Sequence, residues 1–492
     1  MGKYLLALDQ GTTSSRAIIF NKNGEIVGKA QQEFEQLYTG DGYVEHRPED
    51  ILNGQIAVMK TVLKECNISA EEIDCIGIAN QRETTLVWDK NTGTPIYNAI
   101  VWQCRRTAKY CAQMLKKHGK SIYKRTGLKV DAYFSASKIN WILNRVAGAK
   151  ERAVKGELLF GTVDSYLLWN LTANRAHYTD YTNASRTMLY NIHSLEWDDY
   201  LLKLFDIPKC MLPKVKPSGY NYGVLDKDIL GVEIPICAMV GDQQSALYGQ
   251  MCWDKGNCKN TYGTGCFMLM NTGDKAVKSK NGLLTTLGAT VKDKPPYLLE
   301  GSVFIGGATV QWLRDGLKVV NSASQTEEMA MDADKNDNVY FVPAFVGLGA
   351  PHWNSDARGC ISGLTRATTQ KEIVRAGLEG IAYQVADVMQ AMEKDLGEKP
   401  LCLRVDGGAS ANSYLMQFQA DILGIPVVRP HTVETTALGA VYLAGLVNGY
   451  YKGLEDVSLN SSKDEQFNVK MPNEIRNKKI AGWKKAVERA TI

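Results

Sequence analysis

The sequence predicts a duplicated α/β architecture, with an N-terminal half over residues 1–250 and a C-terminal half over residues 251–492. Three observations lead there. A Gly/Thr turn between two apolar strands occurs twice, at Asp9-Gln10-Gly11-Thr12-Thr13 and at Gly263-Thr264-Gly265. An apolar strand running into an acidic residue and a helix rich in small side chains also occurs twice, from Ile234 to Leu247 and from Ile425 to Ala440. The length, 492 residues, favours several domains over a single core.

The elements follow in order. Tyr4 to Leu8, Ser15 to Phe20 and Glu25 to Phe34 read as strands joined by turns at Gly11 and at Asn21-Lys22-Asn23-Gly24. Three short strands in such succession form an antiparallel meander, which a purely parallel doubly wound sheet would not begin with. From Pro48 the apolar positions Ile51, Ile56, Met59, Val62 and Leu63 take helical spacing, with Pro48 and the acidic Glu49 and Asp50 suited to a first turn. Ile73 to Ala79 is a compact apolar strand, and Cys266 to Met270 is the strand that leaves the second Gly/Thr turn. Leu401 to Val405 is a further strand, which runs into Asp406-Gly407-Gly408-Ala409-Ser410-Ala411-Asn412.

Composition narrows the function. Apolar residues make up 45% and charged residues 22%, with 44 Gly and 14 Pro, which excludes disorder and collagen-like repeats. The 57 basic residues against 53 acidic ones leave a net charge of +4 with no basic tract, which argues against nucleic acid and for a small or phosphate-bearing ligand. The 11 cysteines are scattered, without a C-x-x-C pair or a zinc-like cluster, and read as thiols of a reducing compartment. The apolar run before Asp9 is too short for a secretion signal, and the last four residues, Arg489 to Ile492, match no common C-terminal address. No apolar stretch approaches the roughly 18–20 residues of a membrane span. A cytoplasmic protein without membrane insertion is expected.

Several segments can carry chemistry. In Asp9-Gln10-Gly11-Thr12-Thr13-Ser14 the glycine permits a tight turn whose N–H and hydroxyl groups can converge on phosphate, while Asp9 is placed for a hydrated Mg2+. A plain surface hairpin has the same composition; the second turn at Gly263-Thr264-Gly265 supports the phosphate reading, since two such hairpins can clamp a triphosphate. Gly407-Gly408, like Gly306-Gly307-Ala308-Thr309 with Gln311, allows close backbone approach to a ligand or simply a tight connection. Gly119-Lys120-Ser121 ends like a P-loop but has Met114 where the first glycine belongs, and Gly347-Leu348-Gly349 has His352 at the third glycine position of a dinucleotide fingerprint. Neither receives a role.

Phosphoryl transfer to an alcohol needs a carboxylate for the hydroxyl proton and polar groups for the remaining hydroxyls. Asp242, at the junction Val240-Gly241-Asp242-Gln243, is placed for the first task, although a helix N-cap is the commoner fate of Asp there. Asn80-Gln81-Arg82-Glu83-Thr84-Thr85 puts a donor beside an acceptor just beyond a strand end, an arrangement shared with ordinary surface ion pairs. Trp102, Tyr133 and Phe267 can wall a carbon chain or serve as core. None of the six histidines lies in these segments.

Taken together, the chain resembles the FGGY carbohydrate kinase family, and within it the members that phosphorylate glycerol, over nearly its full length. The resemblance rests on Asp9 to Arg16, Asn80 to Thr84, Val101 to Thr107, Tyr133 to Trp141, Gly241 to Gln244 and Ala350 to Gly359. It implies two actin-like ATPase (ribonuclease H-like) domains with a deep interdomain cleft. It also implies ATP-dependent phosphorylation of glycerol to sn-glycerol 3-phosphate and ADP in glycerol catabolism, with ATP and Mg2+ as cofactors and a homodimer or homotetramer. On this resemblance residues 1–250 carry the glycerol site and the first phosphate loop, and residues 251–492 the second phosphate loop and the adenosine site.

Residue by residue, the resemblance implies that Arg82, Glu83, Tyr133, Asp242 and Gln243 hydrogen-bond glycerol while Trp102 and Phe267 pack on its carbons. Thr12, Thr13, Ser14, Arg16, Thr264, Gly265, Gly307, Gln311, Gly408 and Asn412 line the ATP site, with Asp9 catalytic near the metal. Asp242 then takes the proton of the attacking hydroxyl, and domain closure excludes water. Two controls of some family members are expected to be absent. Glu233 stands where they bind fructose 1,6-bisphosphate, and Tyr220 to Val224 contains no histidine to phosphorylate. A kinase of another small polyol or a ketose, and an actin-like ATP-binding scaffold, are the alternatives.

Overall fold

The chain is described by a computed structural model over residues 2–334, 338–459 and 464–492. Its first sheet comprises β1 (Tyr4–Gln10), β2 (Ser14–Phe20), β3 (Ile26–Glu33), β4 (Ile73–Asn80), β5 (Gly219–Val224) and β6 (Pro235–Gly241), in the spatial order β5-β6-β4-β1-β2-β3. β1, β2 and β3 pair antiparallel, as the meander requires, whereas β1 with β4 and β4 with β6 pair parallel. All eight residues of β4 are buried, which is why Ile73 to Ala79 reads as an unbroken apolar run rather than an alternating one. Helix α1 (Pro48–Cys66) packs Ile51, Met59 and Val62 into the same core as Leu6, Ile19 and Ile76. It stops at Asn67, whose φ of 52 ends the helix and whose N–H returns to the carbonyls of Leu63 and Lys64. Each such buried aliphatic side chain contributes about 1.5–3 kcal/mol.

The second sheet repeats the scheme. β7 (Cys258–Tyr262), β8 (Cys266–Gly273), β9 (Tyr297–Val303), β10 (Leu403–Asp406), β11 (Val427–Arg429) and β12 (Glu465–Phe467) lie in the order β9-β8-β7-β10-β11-β12. β7 and β8 form an antiparallel hairpin, and β7 with β10 and β10 with β11 are parallel. Hairpin, third strand on one side and two parallel strands on the other recur in both sheets, so the duplication seen in the two Gly/Thr turns extends to topology.

The chain forms two compact units, one of Met1–Met251, Thr285–Tyr297 and Thr435–Asn460, the other of Cys252–Leu284, Leu298–Glu434 and Ser461–Ile492. Two segments that lie beyond residue 250 in sequence thus belong to the first unit. The clearest case is helix α3 (Thr435–Val447), which follows β11 as α2 (Asp242–Gly249) follows β6. It packs within the first unit at backbone distance. A Cβ added to Gly439 would lie 1.9 Å from Ser245 O, one on Gly249 2.2 Å from Thr435 O, and one on Gly77 2.3 Å from Ala440 O. Helix α3 is buried from Ala437 through Gly445, so its pattern marks a core helix without saying whose core it joins.

No disulfide links the 11 cysteines. Among the described residues no helix is long and apolar enough to cross a membrane.

Candidate active site

Because β1, β4 and β6 are parallel and in register, with Gln10 and Gly241 both opposite Asn80, their C-terminal ends emerge side by side. This is the edge at which α/β sheets bind ligands. It brings Gly11-Thr12-Thr13, Gln81-Arg82-Glu83-Thr84 and Asp242 together from three distant stretches of sequence.

Arg82 and Glu83 have side chains only 2% exposed, whereas that of Asp242 is 30% exposed. Nη1 of Arg82 donates to Gln244 Oε1 at 3.0 Å, and its Nε lies 3.4 Å from Asp242 Oδ1 and 3.8 Å from Glu83 Oε1. The guanidinium therefore sits between two carboxylates, one buried and one reachable. Gly241 makes room for it, since an added Cβ would lie 2.8 Å from both Cγ and Cδ of Arg82. Glu83 holds a φ of 59, a left-handed conformation unusual for a side chain of its size. Its carbonyl accepts from Thr85 Oγ1 and Ser135 Oγ, each at 3.0 Å, and its Oε1 accepts from Arg186 Nε at 2.6 Å.

Asp242 is the first residue of α2, while Gly241 occupies the cap position, and Asp242 Oδ1 accepts the Gln243 N–H at 2.7 Å. The capping role weighed from sequence is thus not the one it plays. Trp102 ties the Gly/Thr turn to this cluster, donating from Nε1 to Thr12 Oγ1 at 3.0 Å and from its backbone N–H to Thr84 Oγ1 at 3.3 Å. Its ring meets Tyr133 edge-on, with centroids 5.5 Å apart. Gln243, the second residue of α2, is half-buried. Below the floor of the site, the Lys138 ammonium donates to Tyr133 O; burial lowers its pKa to about 8, with the Glu83 charge acting in the opposite direction.

The turn itself is closed by the Gly11 N–H bonding Ser14 O at 3.0 Å, and the Gly11 carbonyl accepts from Gln81 Nε2 at 3.1 Å. Thr12 is half-buried and Thr13 exposed, whereas Ser14 is buried. Asp9 is paired with Arg16 across the hairpin, Oδ2 to Nη2 at 2.5 Å.

The second unit gathers the other expected residues. The N–H groups of Gly306 and Gly307 donate to Thr264 O and Gly263 O at 2.8 Å each, so these two segments lie backbone against backbone. Added Cβ atoms would lie 2.5 Å from Val303 O at Gly265, 2.8 Å from Gly263 O at Gly307 and 2.7 Å from Tyr262 O at Gly407, whose φ is +85. Only glycine fits such approaches. Gly408 differs: nothing lies within 4 Å of its added Cβ, so its backbone faces open space. Gln311 closes the first turn after Gly307 by donating its N–H to Gly307 O at 3.1 Å. Asn412 caps the helix Ser413–Leu423, its Oδ1 accepting from Leu415 N at 2.9 Å, and its Nδ2 donates to Thr326 Oγ1 at 3.2 Å. Phe267, half-buried, lies on β8 opposite Thr261 and belongs to the second unit, whereas Trp102 and Tyr133 belong to the first.

Among the described residues no group of three or more His, Cys, Asp or Glu side chains is placed to hold a metal. Asp9, near the end of β1 and ion-paired with Arg16, would supply one carboxylate to an Mg2+ that completes its shell from phosphate and water.

Sequence reasoning did not single out Arg186, Thr182, Asn183 or Ser135, and gave no role to Lys138 or Gln244. The available signal was the polar run from Thr179 to Thr187, buried at every position but Tyr181. Nine residues of that polarity would be expected at the surface.

The chain matches the FGGY family of carbohydrate kinases, with its N-terminal domain over residues 4–249 and its C-terminal domain over residues 258–447. It is 60% identical over 490 residues to a glycerol kinase of Pseudothermotoga lettingae, covering 99% of this chain and 98% of that one. A glycerol kinase of Thermoanaerobacter sp. is 58% identical over 491 residues, 100% of this chain and 99% of the other. Among solved structures, Plasmodium falciparum glycerol kinase with ADP aligns with a TM-score of 0.94 at 38% identity, covering 99% of this chain and 98% of that one.

Proposed function

The chain belongs to the FGGY family of carbohydrate kinases, and from that premise we propose that it transfers the γ-phosphoryl group of ATP to glycerol, yielding sn-glycerol 3-phosphate and ADP. The observation that carries the reading is the Arg82–Glu83 pair fixed beside the accessible carboxylate of Asp242. A small polyol offers only hydroxyls, each donor and acceptor at once, so a site for it needs a cation and an anion side by side. Arg82 donates to one hydroxyl oxygen and Glu83 accepts from a hydroxyl proton, with Tyr133 and Gln243 as further partners. Trp102 and Phe267 take the carbon face.

Asp242 accepts the proton of the terminal hydroxyl as its oxygen attacks the γ-phosphorus in line and the bond to the β,γ-bridging oxygen breaks, releasing ADP. Thr12, Thr13, Ser14 and Arg16 of the first unit, and Thr264, Gly265, Gly307, Gln311, Gly408 and Asn412 of the second, line the nucleotide. Asp9 would help to hold the Mg2+ that accompanies ATP, which would supply charge neutralisation on the phosphate oxygens. Positioning and electrostatics then account for most of the rate. On the same footing the protein is a cytoplasmic homodimer or homotetramer, which light scattering and cell fractionation test.

The functional test is ADP release from MgATP with glycerol, erythritol or xylulose, or with no acceptor. Turnover greatest with glycerol, with a phosphorylated product, is expected. Preference for another acceptor makes the chain a kinase of a different polyol or ketose, and acceptor-independent turnover without such a product makes it an ATP-binding scaffold.

A further inference from the structure

The segment Asp180–Arg186 does not contain any residue assigned to substrate, yet it touches the segments that carry Arg82, Glu83, Tyr133 and Asp242 in the first unit. Asp180 has no exposed surface, and its carboxylate accepts from Ser218 Oγ at 2.6 Å, Thr182 Oγ1 at 2.7 Å, Asn183 N at 2.9 Å and Asn183 Nδ2 at 3.0 Å. Burial raises its pKa and these donors lower it, so the donors offset part of the cost of a charge at that depth. Thr182 Oγ1, oriented by this donation, accepts the Gly241 N–H at 2.8 Å, one residue before Asp242. Asn183 and Asn80 exchange two amide hydrogen bonds of 2.9 and 3.0 Å, two residues before Arg82. Arg186 donates from Nε to Glu83 and stacks its guanidinium over the rings of Tyr133 and Phe134 at 5.4 and 5.2 Å.

We propose that Asp180–Arg186 is the positioning element of the polyol site, with Arg186 setting the affinity for the polyol through Glu83 and Tyr133, and Thr182 setting the place of the base through Gly241. The strands β4 and β6 end independently in sequence, and a parallel ladder fixes their spacing but not the direction of the residues that follow. One buried carboxylate that organises an acceptor for the end of β6, Thr182 Oγ1, and an amide partner for the end of β4, Asn183, supplies that direction. Arg186 also fits a second requirement. Its charge balances Glu83 in a site where Arg82 is shared with Asp242, so Glu83 keeps an acceptor geometry set from below and leaves Arg82 to the ligand. The inference rests on the kinase reading above.

The test separates the two. The wild type, Arg186→Gln, Arg186→Lys and Thr182→Val are assayed by ADP release, varying glycerol and ATP independently. Loss of one charge-assisted hydrogen bond predicts a glycerol KM about 10- to 100-fold higher for Arg186→Gln, with the ATP KM within about twofold. Arg186→Lys, which keeps the charge but not the planar stack, falls between, and it provides the reading if the Gln variant fails to fold. Thr182→Val lowers kcat about tenfold or more, with a smaller change in glycerol KM. Glycerol and ATP KM rising together in the Arg186 variants, or an unchanged glycerol KM, overturns the proposal. Failure of the kinase reading is distinct: the wild type itself then shows no glycerol-dependent turnover.

Discussion

At the C-terminal ends of the parallel strands in the first unit stand Arg82, Glu83 and Asp242, each held by another side chain. At the matching end of β10 in the second unit stand Gly407, set against the backbone of Tyr262, and Gly408, whose backbone faces open space. The two sheets share one order over six strands, to which the second adds Leu284–Leu287, yet charged side chains follow the strands of the first and glycines follow β7 and β10 of the second. On the proposed function, the difference follows from what each would recognise. A polyol is small, neutral and studded with hydroxyls, so it takes directed donors and acceptors; a nucleotide's phosphates and flat base are met by backbone that approaches closely. Duplication supplied the frame, and the residues at the strand ends set the chemistry.

The comparison can be broken most severely on the side-chain edge. Asp242→Asn keeps the size of the side chain and removes the base, so kcat falls about 10²–10⁴-fold in a coupled ADP assay while the melting temperature stays near that of the wild type. An undiminished kcat would remove Asp242 from the chemistry. Next in size is the backbone contact that draws a late helix into the first unit. Gly439→Ala places a methyl group 1.9 Å from Ser245 O, a clash with main chain that costs about 1–3 kcal/mol, read in urea denaturation. Gly407→Ala combines a φ of +85 with a contact of 2.7 Å to Tyr262 O; it costs about 1–3 kcal/mol and, on the backbone-edge reading, weakens ATP more than glycerol.

A further effect concerns pH. Asp164 is fully buried, and desolvation raises its pKa from 3.8 to about 7, against donations from the hydroxyls of Thr162 and Thr179. Between those values the unfolded state has released the proton that the folded state retains, so stability falls as pH rises from about 4 to about 7. Asp164→Asn removes that proton and flattens the profile; melting curves from pH 4 to 8 that remain parallel in the two proteins would contradict this.

Much of this was legible in the sequence, and the reasons for the rest are physical. The meander, the helix from Pro48 and the strand before Gly407 follow from local periodicity and turn chemistry, which act over a few residues. The convergence of Gly11, Arg82 and Asp242 was inferable because each follows an apolar strand. The assignment of Thr435–Val447 to the first unit was not, since an all-apolar helix carries no mark of its destination and the small residues that fix it lie on Gly77 and Gly249, far away in sequence. Arg186 was equally silent: a buried arginine reads like a surface one until its partner, Glu83, is seen 103 positions away.

The division between the two edges is tested most directly by a pair of variants, Arg82→Gln and Gly408→Val, each assayed with glycerol and ATP varied separately. Gly408 suits the purpose because nothing lies within 4 Å of a Cβ added there, so a side chain has room to obstruct a ligand. The account predicts a glycerol KM raised about 10- to 100-fold in the first variant, and an ATP KM raised comparably in the second, each with the other KM nearly unmoved. Both constants rising together in both variants would contradict it.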